Sequence, residues 1–360
     1  MAIAENEKNV TAKLTRRELL QKSLKLFCGL GLGVLFTETK QNKNHLVSAS
    51  TKRAEIQAQN SVYLPIILNE KDYYPEVPIN GVSYSPYRDG QDPDWGPYPS
   101  LDEIRQDIDI LNSTILCPYF NQGLVNEIRT YGSDHNGEKI PQLILEKSSS
   151  IKVNAGCWLG NDLDVNERMI AALVEEAKRF PNVTAVTVGN ETQQFQTLPE
   201  QRLIDYIRRV KSQIPQGVKV TTGDTWYPWL TQPNLAAESD FILAHFFPYW
   251  EPNPVPANEA VNFIKEKFHL LQSAYPSKKI IIGEAGWPSA GEARGGAIPS
   301  LQNHNLFLAE FVSWATSEGV SFYLFEAFDE NWKKKYEGEV GGHWGIYNSD
   351  RTRKSYCQPL

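Results

Sequence analysis

The chain has 360 residues, of which 41% are hydrophobic and 22% are charged, so it is long enough to bury a full-sized core. Its net charge of −7 disfavours a nucleic-acid partner, because binding to a phosphate backbone depends on clustered Lys and Arg. The 9 Trp and 16 Tyr suit a sugar ligand, whose ring faces are apolar, although filling of the core is the alternative use of these side chains.

Residues 1–40 are predicted to be a signal segment. Arg16 and Arg17 are followed by two leucines and a lysine, and then by a weakly apolar run over residues 23–36. This pattern resembles a twin-arginine export signal, which a receptor reads and which does not anchor the mature chain. We therefore expect an exported protein (periplasmic, cell-surface or extracellular), in which only this segment could serve as a membrane anchor. Residues 41–78 are predicted to be a linker. Its first part, up to residue 60, is polar and is predicted to be disordered, whereas residues 61–68 form a lone apolar run to which the sequence assigns no role.

The four cysteines predict no metal centre. None of them forms a CxxC pair or a metal-ligand spacing, so a structural zinc is not expected. The sequence assigns no disulfide among Cys117, Cys157 and Cys357.

From residue 79 onwards, short runs rich in β-branched residues alternate with amphipathic stretches. Eight strands are predicted, over 79–87, 127–133, 151–160, 183–191, 218–227, 240–250, 279–287 and 321–330. Helical spacing of apolar residues is clearest over 166–180, 200–214, 258–275 and 302–319. Eight units of about 31 residues each match a (β/α)8 barrel of roughly 250 residues. The predicted fold is therefore α/β, a single TIM barrel over residues 79–360.

Two stretches depart from a simple barrel repeat. Residues 111–124 are too long for a plain loop and are predicted to be an insertion before the second strand. Residues 332–360 are too polar and Gly-rich to predict an eighth helix. A doubly wound open sheet is the rival architecture, but no GxGxxG turn follows the first strand.

Two glutamates end apolar strands, and in such barrels the reacting groups lie at the carboxyl ends of the strands. Glu191 ends the fourth strand, and Glu284 ends the seventh, 93 residues further along the chain. Three strands apart on a ring of eight, the two carboxylates can face each other across the mouth. Because side chains alternate along a strand, Glu284 is expected to share a face with Ile280 and Ile282. A lone Glu is more often a surface or ion-paired residue, but a carboxylate pair is what cleavage of a glycosidic bond requires.

Six motifs accompany these strand ends. The two that contain the glutamates are Gly-Asn-Glu at 189–191 and Gly-Glu-Ala-Gly-Trp-Pro-Ser at 283–289. The others are Gly-Val-Ser-Tyr-Ser-Pro at 81–86, Ile-Arg-Thr-Tyr-Gly at 128–132, Phe-Asp-Glu-Asn-Trp-Lys at 328–333 and His-Trp-Gly-Ile-Tyr at 343–347. Together they resemble glycoside hydrolase family 17, the β-1,3-glucanases and related glucanosyltransferases. The resemblance implies a (β/α)8 barrel and a retaining reaction, with Glu191 as acid/base and Glu284 as nucleophile.

The eighth-strand motif departs from that of the family's plant members, which carry Phe-Asn-Glu-Asn-Gln-Lys. Asp329 and Trp332 replace its Asn and Gln, as in bacterial and fungal relatives. This departure leaves the acid pair intact but leaves the mode of cleavage along the glucan chain open.

Nine residues near strand ends are candidates for sugar contacts. Asn190 is expected to hydrogen-bond the sugar 2-hydroxyl, with a turn residue as the alternative. Tyr84 either holds the nucleophile or a sugar, or packs in the core. Glu330 and Lys333 either bind hydroxyls or form a solvated salt bridge. At least two of the following aromatic residues are expected to stack on glucose rings: Trp226, Tyr249, Trp250, Trp287 and Trp332.

Three further polar residues lie inside predicted strands. Arg129 and Tyr131 on the second strand are expected to orient the carboxylates. His245 in the sixth strand is either a packed core histidine or a ligand for the substrate.

The favoured function is hydrolysis of β-1,3-glucosidic linkages by a two-glutamate double displacement, with a β-glucan polysaccharide or oligosaccharide as partner. No cofactor or metal is expected, because a protonated acid and a carboxylate suffice. A glucanosyltransferase with the same site, a hydrolase of another β-glycan and a non-catalytic glycan-binding barrel are the alternatives. The last of these predicts the loss of one or both glutamates, and both are present.

Overall fold

The computed structural model describes residues 78–117, 122–147 and 149–354. The predicted signal segment and nearly all of the predicted linker lie outside these ranges, so their bounds stay predictions. Cys28 and Cys357 also lie outside them. Cys117 is disulfide-bonded, whereas Cys157 is a free, buried thiol. Within the described ranges, every helix is too short or too polar to cross a bilayer.

Eight parallel strands form a closed barrel. The strands of the described residues are β1 (Asn80–Ser83), β2 (Ile115–Cys117), β3 (Gln122–Leu124), β4 (Glu127–Arg129), β5 (Lys152–Cys157), β6 (Val183–Asn190), β7 (Lys219–Thr225), β8 (Ile242–Phe246), β9 (Ile280–Ala285) and β10 (Phe322–Leu324). The barrel order is β1-β10-β9-β8-β7-β6-β5-β4. β2 and β3 form an antiparallel hairpin, which is the insertion predicted within residues 111–124. The predicted TIM barrel is confirmed, and each predicted strand is present in a shorter form.

Helices surround the barrel. Those of the described residues are α1 (Leu101–Asn112), α2 (Ile140–Glu146), α3 (Leu163–Arg179), α4 (Glu200–Gln213), α5 (Trp226–Thr231), α6 (Pro233–Glu238), α7 (Ala257–Ala274), α8 (Leu301–Ser317) and α9 (Lys334–Glu337). The four helices predicted from apolar spacing are α3, α4, α7 and α8. Between β10 and residue 354, where the described part of the chain ends, the helical elements are α9 and two 3₁₀ turns, Asn331–Lys333 and Glu339–Gly342, and no long eighth helix is present.

Two separate apolar clusters hold the strands in place. The outer cluster lies between the strands and the helices and includes Ile280 and Ile282 of β9. The inner cluster fills the barrel below its mouth, and its members are Ile79, Ala185, Phe241, Leu243, Ile281 and Tyr323. Above this packed layer, the carboxyl ends of the strands leave room at the mouth for inward-pointing polar side chains.

Candidate active site

Glu284 points into the barrel mouth because of a β-bulge in β9. The register between β8 and β9 passes from Ala244↔Ile282 to His245↔Glu284, so Gly283 is an extra residue in β9. A bulge of one residue re-aims the side chain that follows it. Ile282 therefore packs in the outer cluster, while Glu284 lies inside among polar partners. The prediction that these two side chains share a face is wrong, because it assumed unbroken alternation.

Glu191 follows a similar irregularity at the end of β6. The register with β7 passes from Thr187↔Thr221 to Asn190↔Gly223, which leaves one extra residue in β6. Gly189, within this stretch, has a φ of +82° that glycine adopts without steric cost. Glu191 itself has a φ of +51°, which is uncommon for a residue with a side chain. Glu191 thus lies at a strand end whose backbone is irregular at two successive points.

The two glutamates lie close together across the mouth. One carboxylate oxygen from each of Glu191 and Glu284, together with a ring nitrogen of His245, all lie within 4.8 Å of one another. Carboxyl groups about 5–5.5 Å apart are typical of retaining glycosidases, whereas inverting enzymes separate them by about 6.5–9.5 Å. The spacing therefore favours double displacement.

These three donor side chains are also of the types that bind metals, but Arg129 argues against a metal there. Its guanidinium lies 2.7 Å from Glu284 Oε1 and 3.1 Å from His245 Nε2, among the would-be ligands. A second cation at this position would be repelled by the Arg129 charge. We therefore assign no metal to this cluster.

Glu284 is held through one of its two oxygens. Its side chain is buried, and Oε1 accepts hydrogen bonds from Arg129 Nη1 at 2.7 Å and from Tyr131 Oη at 2.9 Å. Among the described residues, no donor lies within hydrogen-bonding distance of Oε2. This arrangement fixes the orientation of the carboxylate and leaves its other oxygen available for an electrophile. Arg129 and Tyr131 were expected to orient the carboxylates, and both donate hydrogen bonds to Glu284.

His245 bridges the two glutamates as a neutral imidazole. Burial lowers the pKa of His245 to about 3. Arg129 has only N–H donors, so His245 Nε2 must accept from it, and the ring proton must be on Nδ1. Nδ1, 2.9 Å from Glu191 Oε1, therefore donates to that carboxyl oxygen. The sequence predicted either a packed core histidine or a ligand for the substrate. The structure instead favours a third role for His245, in which its hydrogen bonds position Glu191 and Arg129.

Arg129 joins four strand ends through its two terminal nitrogens. Nη2 donates to Asn190 Oδ1, and Nη1 donates to the backbone oxygen of Gly283 at 3.0 Å as well as to Glu284. Asn190 is consequently oriented with its carbonyl toward Arg129. Gly223 makes room for this junction, because a Cβ there would lie 2.5 Å from Arg129 Nη2 and 2.9 Å from His245 Nε2.

Gly223→Ala is expected to lower kcat/KM for the glycoside cleavage predicted from the sequence about 100-fold, since displacement of reacting groups by about 1 Å costs that much. The added methyl group would push Arg129 and His245 away from the two glutamates. Gly160→Ala is the matched control, because a Cβ at that strand-end glycine meets nothing within 4 Å. The kinetics of both variants test the idea, and equal activity of the two would contradict it.

Asp224, which the sequence did not single out, anchors the chain that follows Glu191. Its Oδ2 accepts from the backbone N–H of Gln193 at 2.9 Å, and its Oδ1 from that of Gln194 at 3.2 Å. Burial, followed by the nearby charge of Glu191, raises the pKa of Asp224 to about 8. Asp224 lies one residue before the end of the fifth barrel strand, β7, and this position in the sequence could have identified it as a candidate site residue.

Glu330 and Lys333 form a buried charged cluster with Glu326. Lys333 Nζ contacts the Glu326 carboxylate and lies 2.7 Å from Glu330 Oε2. Glu330 Oε1 accepts from Ser85 Oγ at 2.5 Å and from Trp332 Nε1 at 2.9 Å. The pairing predicted as an alternative is therefore present, but it is buried rather than solvated. The cluster fixes Trp332 instead of presenting Lys333 to a ligand.

Three of the predicted sugar-binding aromatics are buried in the packing around the barrel, which corrects their assignment. Tyr84 is 1% exposed and donates to Asp107 Oδ2 at 3.1 Å, on the helix side of β1. Tyr249 is 1% exposed, and its hydroxyl donates to the backbone oxygen of Glu292. Trp287 is 0% exposed and stacks on Phe307. None of the three has a ring face open to a sugar.

The other three predicted aromatics remain partly exposed. Trp226 begins α5, and its Nε1 donates to Glu251 Oε1 at 2.8 Å. Trp250 packs edge-on against Tyr249 with ring centroids 4.7 Å apart, and Arg294 lies 5.1 Å from its ring. Trp332 is held by the charged cluster described above. These three stay candidates for stacking.

Comparisons with known proteins agree with this geometry. The family model described as the BtgE/BtgC glycoside hydrolase domain matches residues 81–345. A probable family 17 glucosidase of Saccharomyces cerevisiae is 28% identical over 274 residues, which cover 75% of this chain and 65% of the yeast protein. A probable glucan endo-1,3-beta-glucosidase of Aspergillus fumigatus is 26% identical over 331 residues, which cover 82% of this chain and 45% of that protein.

A solved structure shares the fold as well. An active-site mutant of the Rhizomucor miehei beta-1,3-glucanosyltransferase in complex with laminaritriose has a TM-score of 0.64 and 25% sequence identity, and the match covers 76% of this chain and 95% of that one. The chain spans less than two thirds of the length of the two curated relatives. The matched family range nevertheless contains the barrel, apart from Asn80 at the start of β1, and both glutamates. The chain therefore belongs to the BtgE/BtgC glycoside hydrolase domain family, which confirms the family 17 resemblance.

Proposed function

We propose that this protein is a retaining glycosidase that hydrolyses β-1,3-glucosidic linkages in β-glucans. The observation that carries the proposal is the spacing of Glu191 and Glu284, whose nearest oxygens lie within 4.8 Å of each other. Such a gap suits attack by a carboxylate and lacks the room that an inverting enzyme needs for a water. The names of the matched relatives support the β-1,3 linkage.

The first proposed step forms a glycosyl-enzyme. An electron pair of Glu284 Oε2 forms a bond to the anomeric carbon, and the bond from that carbon to the leaving oxygen breaks. Glu191 gives its proton to the leaving oxygen, which departs as a sugar hydroxyl. Arg129 and Tyr131 hold the other oxygen of the nucleophile during the attack. Asn190, oriented by Arg129, is the proposed partner of the sugar 2-hydroxyl.

The second proposed step frees the sugar. Glu191, now ionised, takes a proton from water, whose oxygen attacks the anomeric carbon while the bond to Glu284 breaks. The Nδ1–H of His245 stabilises the Glu191 carboxylate in this state. The product keeps the β configuration because the carbon has been inverted twice. These steps use a carboxyl group, a carboxylate and water, and no cofactor or metal.

Transfer is the second candidate function, and the match to a glucanosyltransferase favours it. In that reaction a sugar hydroxyl replaces water in the second step, and a longer glucan chain is formed. Hydrolysis and transfer share the first step, so the proposed role of each residue in that step is the same for both reactions. A barrel that only binds glycans would not need two glutamates that face each other and are each held by hydrogen bonds to neighbouring side chains, so we do not favour that function.

Product analysis tests the proposal directly. The purified protein is incubated with β-1,3, β-1,4 and mixed-linkage glucans, and the first products are identified by mass and by anomeric proton NMR. We expect cleavage of laminarin with β-anomers formed first. Products longer than the starting laminari-oligosaccharide would indicate transfer, and initial α-anomers would contradict the retaining mechanism.

We also propose that the protein is exported. The support is the leader pattern around Arg16 and Arg17, together with the polymeric nature of the proposed substrate. The twin-arginine route remains a prediction from that leader.

A further inference from the structure

The loop that joins β1 to α1 presents an unusually exposed tryptophan. Trp95 is 82% exposed, the highest value among the large hydrophobic side chains of the described residues. The loop begins where β1 ends, so it rises from the same face of the barrel as Glu191 and Glu284. An indole in water contributes nothing to folding, because burial of its apolar surface is what stabilises a fold.

One side of this loop is fixed by α9, the short helix that follows β10. Lys335 Nζ pairs with the Asp92 carboxylate, and the Tyr336 hydroxyl donates to Asp94. Within the loop, the backbone N–H of Gly96 donates to the oxygen of Asp92 at 2.8 Å and closes a turn around Trp95. The residues on both sides of the indole are therefore tied down.

The other side of the loop is fixed by the segment that follows β4. Tyr98 stacks on His135 with ring centroids 3.7 Å apart and an interplanar angle of 5°. Asn136 Nδ2 donates to the backbone oxygen of Pro99 at 3.0 Å. At the loop base, Arg88 pairs with the buried Asp107 at 2.9 Å.

A loop held at three places orders Trp95 without burying it. Ordering a residue costs backbone entropy, and exposed ion pairs offset little of that cost. Such an arrangement gives little stability but is well suited to binding, because a ligand then meets a preorganised ring. A flat indole with its faces in water matches the apolar face of a sugar.

The loop is also continuous with the candidate active site. Tyr131, which donates to Glu284, lines a small cleft together with Tyr87. Tyr87 packs edge-on against Trp332 at 6.2 Å, and Trp332 against Tyr336 at 6.3 Å. Because Tyr336 bonds to Asp94, next to Trp95, aromatic side chains extend from the nucleophile to the loop.

We propose that Trp95 and its clamped loop form a remote subsite that binds glucosyl residues of a long β-glucan beyond those held in the cleft. The subsite rests on the proposed function for the identity of its ligand. It predicts a preference for polymer over short oligosaccharide that arises from binding and not from the chemical step.

Trp95→Ala is expected to weaken laminarin binding about fivefold to tenfold, the value of one good aromatic contact, while changing laminaritriose binding much less. In a Glu284→Gln background, which blocks the proposed turnover, affinity electrophoresis and calorimetry measure the binding of both ligands. Trp95→Phe should restore part of the affinity. Tyr336→Phe, which removes one hydrogen bond that holds the loop but keeps the indole, should give a smaller loss. Leu270→Ala is the control, because that side chain is 43% exposed on α7.

Unchanged laminarin affinity of Trp95→Ala would overturn the subsite, as would an equal loss for laminarin and laminaritriose. A wild-type protein that binds laminarin through Trp95 but cleaves no glucan would overturn the proposed function and leave the subsite standing. A wild-type protein that binds no laminarin would overturn both.

Discussion

Glu284→Gln is expected to lower kcat/KM on laminarin by about 10⁴-fold or more, the scale seen when a covalent nucleophile is removed. The amide keeps an oxygen for Arg129 and Tyr131, so the hydrogen bonds at 2.7 Å and 2.9 Å retain their acceptor. It cannot supply the anionic electron pair that attacks the anomeric carbon. Steady-state kinetics with laminarin measure the loss.

Folding and chemistry must be separated in this experiment. Arg129 is only 1% exposed, and loss of one partner from a buried ion pair costs about 3–5 kcal/mol. Thermal unfolding and laminaritriose binding by the variant therefore accompany the kinetics, with the exposed Glu259→Gln on α7 as the charge-matched control. Turnover of a folded Glu284→Gln variant within tenfold of wild type would remove Glu284 from its role.

A smaller variant, Glu284→Gly, makes the test specific for the mechanism. It leaves a cavity beneath the anomeric carbon into which azide can enter. With an activated β-glucosyl substrate, azide then attacks from the side that the carboxylate occupied. The product expected is the α-glycosyl azide, identified by NMR.

The barrel and the strand positions of its two acids were predictable from the sequence. Apolar runs at intervals of about 31 residues located all eight strands, and strand order alone put Glu191 and Glu284 three strands apart. Both follow a glycine by one or two positions, Gly189 and Gly283. The apolar runs predict the positions of the strands because each strand must bury its apolar side chains against the helices.

The direction of side chains near strand ends was harder to predict. The bulge at Gly283 turns Glu284 inward, and no simple count of alternation could reveal it. Tyr84 was a different case, because it shares the helix-facing side of β1 with Val82, and alternation correctly applied would have predicted its burial. Trp287 lies just beyond the end of β9, in a loop, where neither the two-residue period of a strand nor the 3.6-residue period of a helix predicts the direction of a side chain.

The connections among site residues depend on long-range geometry. Arg129 meets Asn190, His245 and Glu284 only because four strands of the closed barrel converge at the mouth. The neutral state of His245 likewise depends on burial and on the neighbouring guanidinium, which the sequence around residue 245 does not contain.

Glu191→Gln is expected to lower kcat/KM on laminarin by about 10²–10⁴-fold, the range of general acid catalysis. A sugar leaving group needs the proton that Glu191 supplies, whereas dinitrophenolate does not. The same variant should therefore lose far less on a dinitrophenyl β-laminaribioside in the first step. Steady-state kinetics of the variant on both substrates measure the difference.

Azide distinguishes the two glutamates by the configuration of its product. In Glu191→Ala the nucleophile is intact, so an activated substrate still forms the glycosyl-enzyme with Glu284, and azide enters from the face that Glu191 has vacated. Two inversions then give the β-glycosyl azide, opposite to the α product of Glu284→Gly. The same anomer from both variants would contradict the assignment, because residues on opposite faces of one carbon cannot open the same path to an incoming ion.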